Sequence, residues 1–164
     1  LDQFTSNASE EVEAALTQLQ KDAGGKLTGY ILDLRHNPGG YLGEAVEISD
    51  HFLESGDVVS VKSRQGNEIH QAGPGDLTNG APLIVLVDER SASASEIVAG
   101  ALQDHGRALV LGVQSYGKGT VQAMADLPRL HPSPRTPVLH RRGEEGSVTL
   151  ATPDNRMLPV GGCF

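Results

Sequence analysis

Two groups in this chain are placed to do covalent chemistry: the serines of SASAS at 91–95, and Lys118, which stands between Gly117 and Gly119. A hydroxyl at the start of a helix sits at the positive end of the helix dipole, where an anion is stabilised. Backbone N–H groups at such a turn are also placed to meet an oxyanion. A serine nucleophile needs a base, and a buried lysine can supply one. Desolvation penalises the ammonium form, so the neutral amine becomes accessible and can accept the hydroxyl proton. One of Ser91, Ser93 and Ser95 is therefore a candidate nucleophile, with Lys118 as candidate base. The competing reading is structural, because Ser93 with Glu96 three residues later fits a capping box that would account for both.

These residues must be positioned by the segment from Ala81 to Gln122. Ile84 to Val87 form an apolar run without polar alternation, which predicts a strand buried on both faces. From Ser95 the period changes: Ile97, Val98, Ala101 and Leu102 fall on one side of a helix, with Gly106 available to end it. Ala108 to Leu111 is a second apolar run, leading to Lys118. Upstream, Thr28 to Leu34 is a strand candidate that ends in Arg35-His36-Asn37-Pro38-Gly39-Gly40, a turn by composition. A glycine pair between a strand and a helix exposes consecutive N–H groups, the geometry of an anion nest. The helical stripe that follows is Leu42, Ala45, Val46, Ser49, Phe52 and Leu53. His36 reads as a surface or hydrogen-bonded loop residue, and Asp33 and Arg35 as residues that hold the loop.

Elsewhere, Asn7 is placed to cap a helix with Glu10 and Glu11 in its first turn and Ala8, Val12, Ala15, Leu16 and Leu19 as its apolar stripe, ending at Gly24-Gly25. Phe4 reads as a core anchor. DVVSVK at 57–62 predicts a strand, with a hairpin around Gly66-Asn67, and Pro74-Gly75 through Asn79-Gly80 is a turn-rich connection. Alternating strands and helices imply an α/β core with a substantially parallel sheet, in which ligands lie beyond the carboxyl ends of the strands. After Gln122 the chain is unusual: Pro128 to Pro137 holds four prolines and HRRGEEG at 140–146 is charged. That composition predicts loop, with Ser147 to Leu150 returning as a strand.

Taken together, LDLRHNPGG at 32–40, SASASEIVAGALQDHGRALVLG at 91–112 and SYGKGTVQ at 115–122 resemble the carboxyl-terminal processing proteases, serine endopeptidases with a Ser/Lys dyad. The resemblance implies Ser93 as nucleophile, Lys118 as general base and Gln122 as the residue orienting the base. It implies an oxyanion hole from the amide of Ala94 and one from Gly39 or Gly40. It further implies the spiral α/β core shared with the crotonase and caseinolytic-protease-like folds. On this reading residues 1–122 are the protease core and 123–164 an atypical Pro-rich C-terminal extension of the same domain. The implied substrates are polypeptides with flexible C-terminal tails of apolar or small residues, cut without any metal, nucleotide or organic cofactor. The implied setting is periplasmic, lumenal or secreted, with a PDZ domain in the full-length protein and a homo-oligomer left open. Two departures stand out: Val113 where the family commonly has glutamate, and no aromatic Tyr-Tyr-Thr-Pro-like motif. The alternative function is a catalytically impaired peptide-binding or assembly domain of the same fold.

Composition narrows the remaining classes. The 164 residues are enough for one domain with a real core. Twenty-one acidic against thirteen basic residues give a net charge of −8, which argues against a nucleic-acid surface. No apolar run is long enough to span a bilayer, and no charged start followed by an apolar stretch suggests a signal peptide. The single cysteine, Cys163, cannot form an internal disulfide. Gly112 to Lys118 matches the first seven positions of a phosphate-binding loop, but Gly119 stands where the metal-binding hydroxyl belongs. A triad of Ser93 with Asp104 and His105 fails on length, since twelve helical residues separate Ser93 from His105 by roughly 18 Å. The histidines at 36, 51, 70, 105, 131 and 140 show no close metal-ligand spacing.

Overall fold

The structure, a computed structural model, describes residues 1–25, 27–63, 66–121 and 148–151. Its elements in chain order are α1 (Ala8–Asp22), β1 (Tyr30–Asp33), α2 (Leu42–Asp50), β2 (Gly56–Ser63), β3 (Gly66–Ala72), β4 (Leu83–Val87), α3 (Ala94–Asp104), β5 (Leu109–Gly112), β6 (Thr120–Val121) and β7 (Val148–Ala151). They form a mixed α/β fold with one parallel and one antiparallel sheet. The parallel sheet has the order β1-β4-β5, and it carries the candidate site. The second sheet has the order β3-β2-β7-β6 with every pairing antiparallel, so the expectation of a substantially parallel core holds for the first sheet alone.

The apolar stripes of the sequence become the core. Phe4, Leu34, Ile48, Phe52, Val85, Val98 and Leu102 are almost wholly excluded from water where α2 and α3 pack together and against the sheets. Burial of such side chains is the dominant favourable term in folding. β4 is less enclosed than its composition suggests. Leu83, Val85 and Val87 are buried, but Ile84 and Leu86 on the other face are only half-buried. β5 is more exposed still, with Leu109 at 60% and Leu111 at 43%. The reason is topological, since among the described residues β5 pairs only with β4 and forms an edge.

Local chemistry explains the remaining differences. Asn7 occupies the N-cap position of α1, but its side chain donates to Glu11 and accepts from Thr5 rather than capping the helix. The free Ser9 N–H of that first turn donates instead to Glu44 of α2, at 2.8 Å, which ties the two helices together. Gly66 and Asn67, expected at the hairpin turn, already belong to β3, where they pair with Ser63 and Lys62. The returning strand expected near Ser147 is present as β7, inserted between β2 and β6. Gln122, the Pro-rich stretch 128–137, HRRGEEG and Cys163 lie outside the described residues. Among the described residues no helix is long and apolar enough to cross a membrane.

Candidate active site

Two loops meet at the carboxyl ends of β1 and β4, and their hydrogen bonds decide which serine remains available. Ser91 is buried and donates its Oγ to the carbonyl of Leu34 at 2.7 Å while accepting from the Asp88 N–H. Ser95 is also buried, and its Oγ donates to the carbonyl of Asn37 at 3.0 Å. Both hydroxyls are used to fasten the corner to the 34–40 loop. Ser93 is half-buried and faces a cavity of about 440 Å³. It is the N-cap of α3 with φ 56° and ψ −113°. That backbone conformation is rare for a residue with a side chain, and such strain persists only where the surroundings hold it.

The surroundings do so through the 34–40 loop. Asn37 is fully buried; its carbonyl accepts from Ala92 N–H, its Nδ2 donates to the Leu1 carbonyl and its Oδ1 accepts from Gly39 N–H at 2.8 Å. Gly39 has φ +97°, and a Cβ there would lie 2.8 Å from Ser93 Cβ and 2.9 Å from Ala94 N. Only glycine allows that approach. Gly39 N–H is therefore engaged, but the N–H groups of Gly40 and Ala94 have no acceptor among the described residues. Both residues line the cavity that Ser93 faces.

Asp88 secures the other side of the corner. Its carboxylate accepts from the backbone N–H groups of His36, Arg90 and Ser91, and Nδ1 of His36 lies 2.6 Å from its Oδ2. Burial pushes the Asp88 carboxyl up, but the hydrogen bonds from His36 and Arg90 and the His36 charge outweigh it, leaving it below the usual range. His36 is thus a loop-fastening residue, as its position suggested. Asp33 and Arg35 pair through two side-chain hydrogen bonds on the exposed side of the same loop.

Glu96 does more than the capping-box pattern indicates. Its carboxylate is 1% exposed and accepts from Ser93 N–H at 2.8 Å. It also accepts from Ser115 Oγ at 2.7 Å, Gly117 N–H at 2.6 Å and Lys118 N–H at 2.9 Å. One carboxylate therefore holds both the backbone of Ser93 and the loop that carries Lys118. A second tie is the Tyr116 N–H donating to the Ser91 carbonyl. Lys118 is half-buried and lines the same cavity as Ser93, and β6 begins two residues later at Thr120.

The other sequence candidates lie apart. No helix starts at Lys118, as a phosphate-binding loop would require. His105 is at the opposite end of α3 from Ser93, with Nε2 2.8 Å from the Asp57 carbonyl oxygen. No three His, Cys, Asp or Glu side chains converge among the described residues. The bridging contacts of Glu96 and the pinning by Asn37 were not anticipated. The only sequence signal for Glu96 was its spacing from Ser93, and that spacing reports the cap alone.

A protein-family model for peptidase family S41 matches residues 1–148. The chain is 45% identical over 153 residues to a carboxy-terminal-processing protease of Bartonella bacilliformis, covering 92% of this chain and 32% of that protein. It is 44% identical over 128 residues to a carboxyl-terminal-processing protease of a Picosynechococcus species, covering 78% of this chain and 30% of that one. Among solved structures it is similar to a photosystem II D1 C-terminal processing protease, with TM-score 0.76 and 30% identity, over 94% of this chain and 37% of that one. The chain thus spans about a third of the length of the curated relatives it matches.

Proposed function

This chain belongs to peptidase family S41, and from that premise we propose that it carries the reaction centre of a serine endopeptidase that cuts polypeptides near flexible C-terminal tails. The observation that carries this reading is the shared cavity: Ser93 and Lys118 both line it, and the backbones of both hang from the Glu96 carboxylate. In the proposed reaction neutral Lys118 takes the Ser93 proton and the alkoxide attacks the scissile carbonyl. The N–H groups of Ala94 and Gly40 meet the oxyanion, Gly39 shaping the loop instead, since its own N–H is held by Asn37. Protonated Lys118 then gives its proton to the leaving amine and afterwards activates the water that frees the acyl group. Gln122 is the proposed orienting partner of Lys118.

The larger assignments belong to the same proposal. The two sheets are read as part of a spiral core of the crotonase and caseinolytic-protease-like type, with 1–122 as protease core and 123–164 as an extension of one domain. The insertion of β7 between β2 and β6 supports that single-domain reading. A PDZ domain in the full-length protein, a homo-oligomer and a periplasmic, lumenal or secreted setting are proposed from the family resemblance alone. No cofactor enters the reaction. The test is incubation of the protein and of Ser93→Ala with an unstructured polypeptide, with products read by intact mass. Fragments from the unmutated chain alone, with an acyl adduct on Ser93, are expected. Equal cleavage by both proteins would overturn the assignment, and an adduct on Ser91 or Ser95 would move it.

A further inference from the structure

The first residues of the chain run along the loop that carries Gly39 and Gly40, and they bond to it in pairs. The Leu1 nitrogen donates to the Asp33 carbonyl at 3.0 Å, and the Leu1 carbonyl accepts from Asn37 Nδ2 at 2.8 Å. Phe4 then bridges Gly40 in parallel: its N–H donates to the Gly39 carbonyl at 3.0 Å, and its carbonyl accepts from Tyr41 N–H at 2.9 Å. The Phe4 side chain is wholly buried in the core, which fixes where its N–H stands.

The peptide between Gly39 and Gly40 is planar and trans, so its C=O and N–H point in opposite directions. Its carbonyl is turned to Phe4; its N–H is therefore turned away from Phe4, and Gly40 lines the cavity that Ser93 faces. The loop does not hold that orientation by itself. Both residues of this peptide are glycine, with φ +97° and +154°, and glycine takes up positive and negative φ about equally readily. Asn37 Oδ1 holds the N–H of Gly39, which belongs to the preceding peptide. Among the described residues Phe4 N–H is the only donor to the Gly39 carbonyl.

We propose that Phe4 is a positioning residue: through its backbone N–H it holds the Gly39–Gly40 peptide in the orientation that turns the Gly40 N–H into the cavity. This rests on the reading of Gly40 as an oxyanion donor. A peptide turned over would present the Gly39 carbonyl to the oxyanion, replacing attraction with repulsion.

The test replaces Phe4 by its α-hydroxy acid, an amide-to-ester exchange that removes the N–H and keeps the benzyl side chain. Phe4→Leu, which keeps the N–H and trims the anchor, is the comparison. Cleavage of an unstructured polypeptide is read as kcat and KM per folded molecule. Binding of a peptide aldehyde, whose adduct with Ser93 carries an oxygen in the oxyanion's place, is read as Kd. The ester should lower kcat roughly 30-fold, short of the about 10²-fold that losing an oxyanion donor outright costs, and weaken aldehyde binding by the same factor with KM little changed. Phe4→Leu should lower the unfolding temperature at least as far, with a smaller loss of kcat. In the unmutated protein carrying isotope-labelled glycine, the Gly40 N–H resonance should shift when the aldehyde binds. A resonance that does not move would overturn the oxyanion reading of Gly40 and this inference with it. If it moves, an ester that keeps its kcat, loses no more than Phe4→Leu does, or fails to fold would make the Phe4 bond structural and overturn the positioning role alone. Failure of the unmutated protein to cleave or to bind the aldehyde would overturn the Ser93 reading as well.

Discussion

The two ends of α3 use the same kinds of group in opposite ways. At its C-terminal end Arg107 donates Nε to the Phe52 carbonyl and to Asp76, and its guanidinium also reaches the Thr78 hydroxyl. Asp76 further accepts from Thr78 and Gly80, and His105 is matched to the Asp57 carbonyl. Asp104 Oδ2 is the exception, buried without a partner among the described residues. At the N-terminal end, Ser93 is held in a strained conformation that costs about 1–3 kcal/mol. Among the described residues the amides of Ala94 and Gly40 have no acceptor. A helix end built for stability satisfies its donors within the fold. The end proposed to react leaves some unsatisfied among the described residues, and Glu96 holds the backbone around them.

The largest effect separating the two ends should come from the bases they offer. Lys118→Arg keeps a positive charge that does not deprotonate in the working range. Acyl-enzyme formation is therefore expected to fall by roughly 10⁴-fold, while His105→Ala changes it by less than about threefold. Single-turnover adduct formation across pH reads both, and comparable rates in the arginine variant would break the distinction. Next comes the opposite end. Arg107→Ala leaves the buried Asp76 without its counter-ion, and about 3 kcal/mol of stability should be lost. That is the low end for a broken buried pair, because Thr78 and Gly80 still bond the carboxylate. Denaturant unfolding measures this, and the acylation rate per folded molecule should stay unchanged.

A smaller effect tests whether Glu96 positions the site. Glu96→Gln keeps the volume but turns one acceptor oxygen into a donor facing two donors, among Ser93, Ser115, Gly117 and Lys118. The acylation rate should fall roughly 10²-fold, about 2.7 kcal/mol, through kcat rather than KM. A change confined to unfolding temperature would reduce Glu96 to a cap. The smallest effects are those of the two Asp–Arg pairs on acid stability. Arg35 beside it lowers the Asp33 carboxyl from 3.8 to about 2. Burial pushes Asp76 up, but hydrogen bonds from Thr78 and Arg107 leave it below its usual range. A depressed carboxyl contributes stability above its unfolded pKa, and that contribution is lost as pH falls through the folded value. Asp33→Asn should flatten the stability profile slightly between pH 3.8 and about 2. Its pair is solvent-exposed, so Asp76→Asn should flatten the acid limb more.

The parts of this molecule that were legible in the sequence are those set by short-range pattern. The apolar run at 84–87, the helical period after Ser95 and the turn composition of NPGG each depend on neighbouring residues only. Edge and centre were not legible, because Leu109 to Leu111 reads like a buried run until the sheet order makes β5 an edge. The choice of Ser93 over Ser91 and Ser95 came from resemblance rather than spacing. Its physical counterpart lies in Leu34 and Asn37, whose carbonyls engage the other two hydroxyls from a distant loop. The bridging by Glu96 was hidden for the same reason, since Ser115 to Lys118 approach it only in three dimensions.

The strand order of the second sheet has a consequence in time. Among the described residues β6, which follows Lys118, joins that sheet only through β7, and β7 arrives from Val148 onward. On a ribosome the serine corner and its glycine loop are complete well before that strand exists, and domains form as their parts emerge. Closing the interval from Val121 to Val148 is a long-range step, which makes it slower than the local ones. Glu96 can tie the Lys118 backbone to the Ser93 corner before then, so what waits for the last sheet pairing is the strand that follows Lys118.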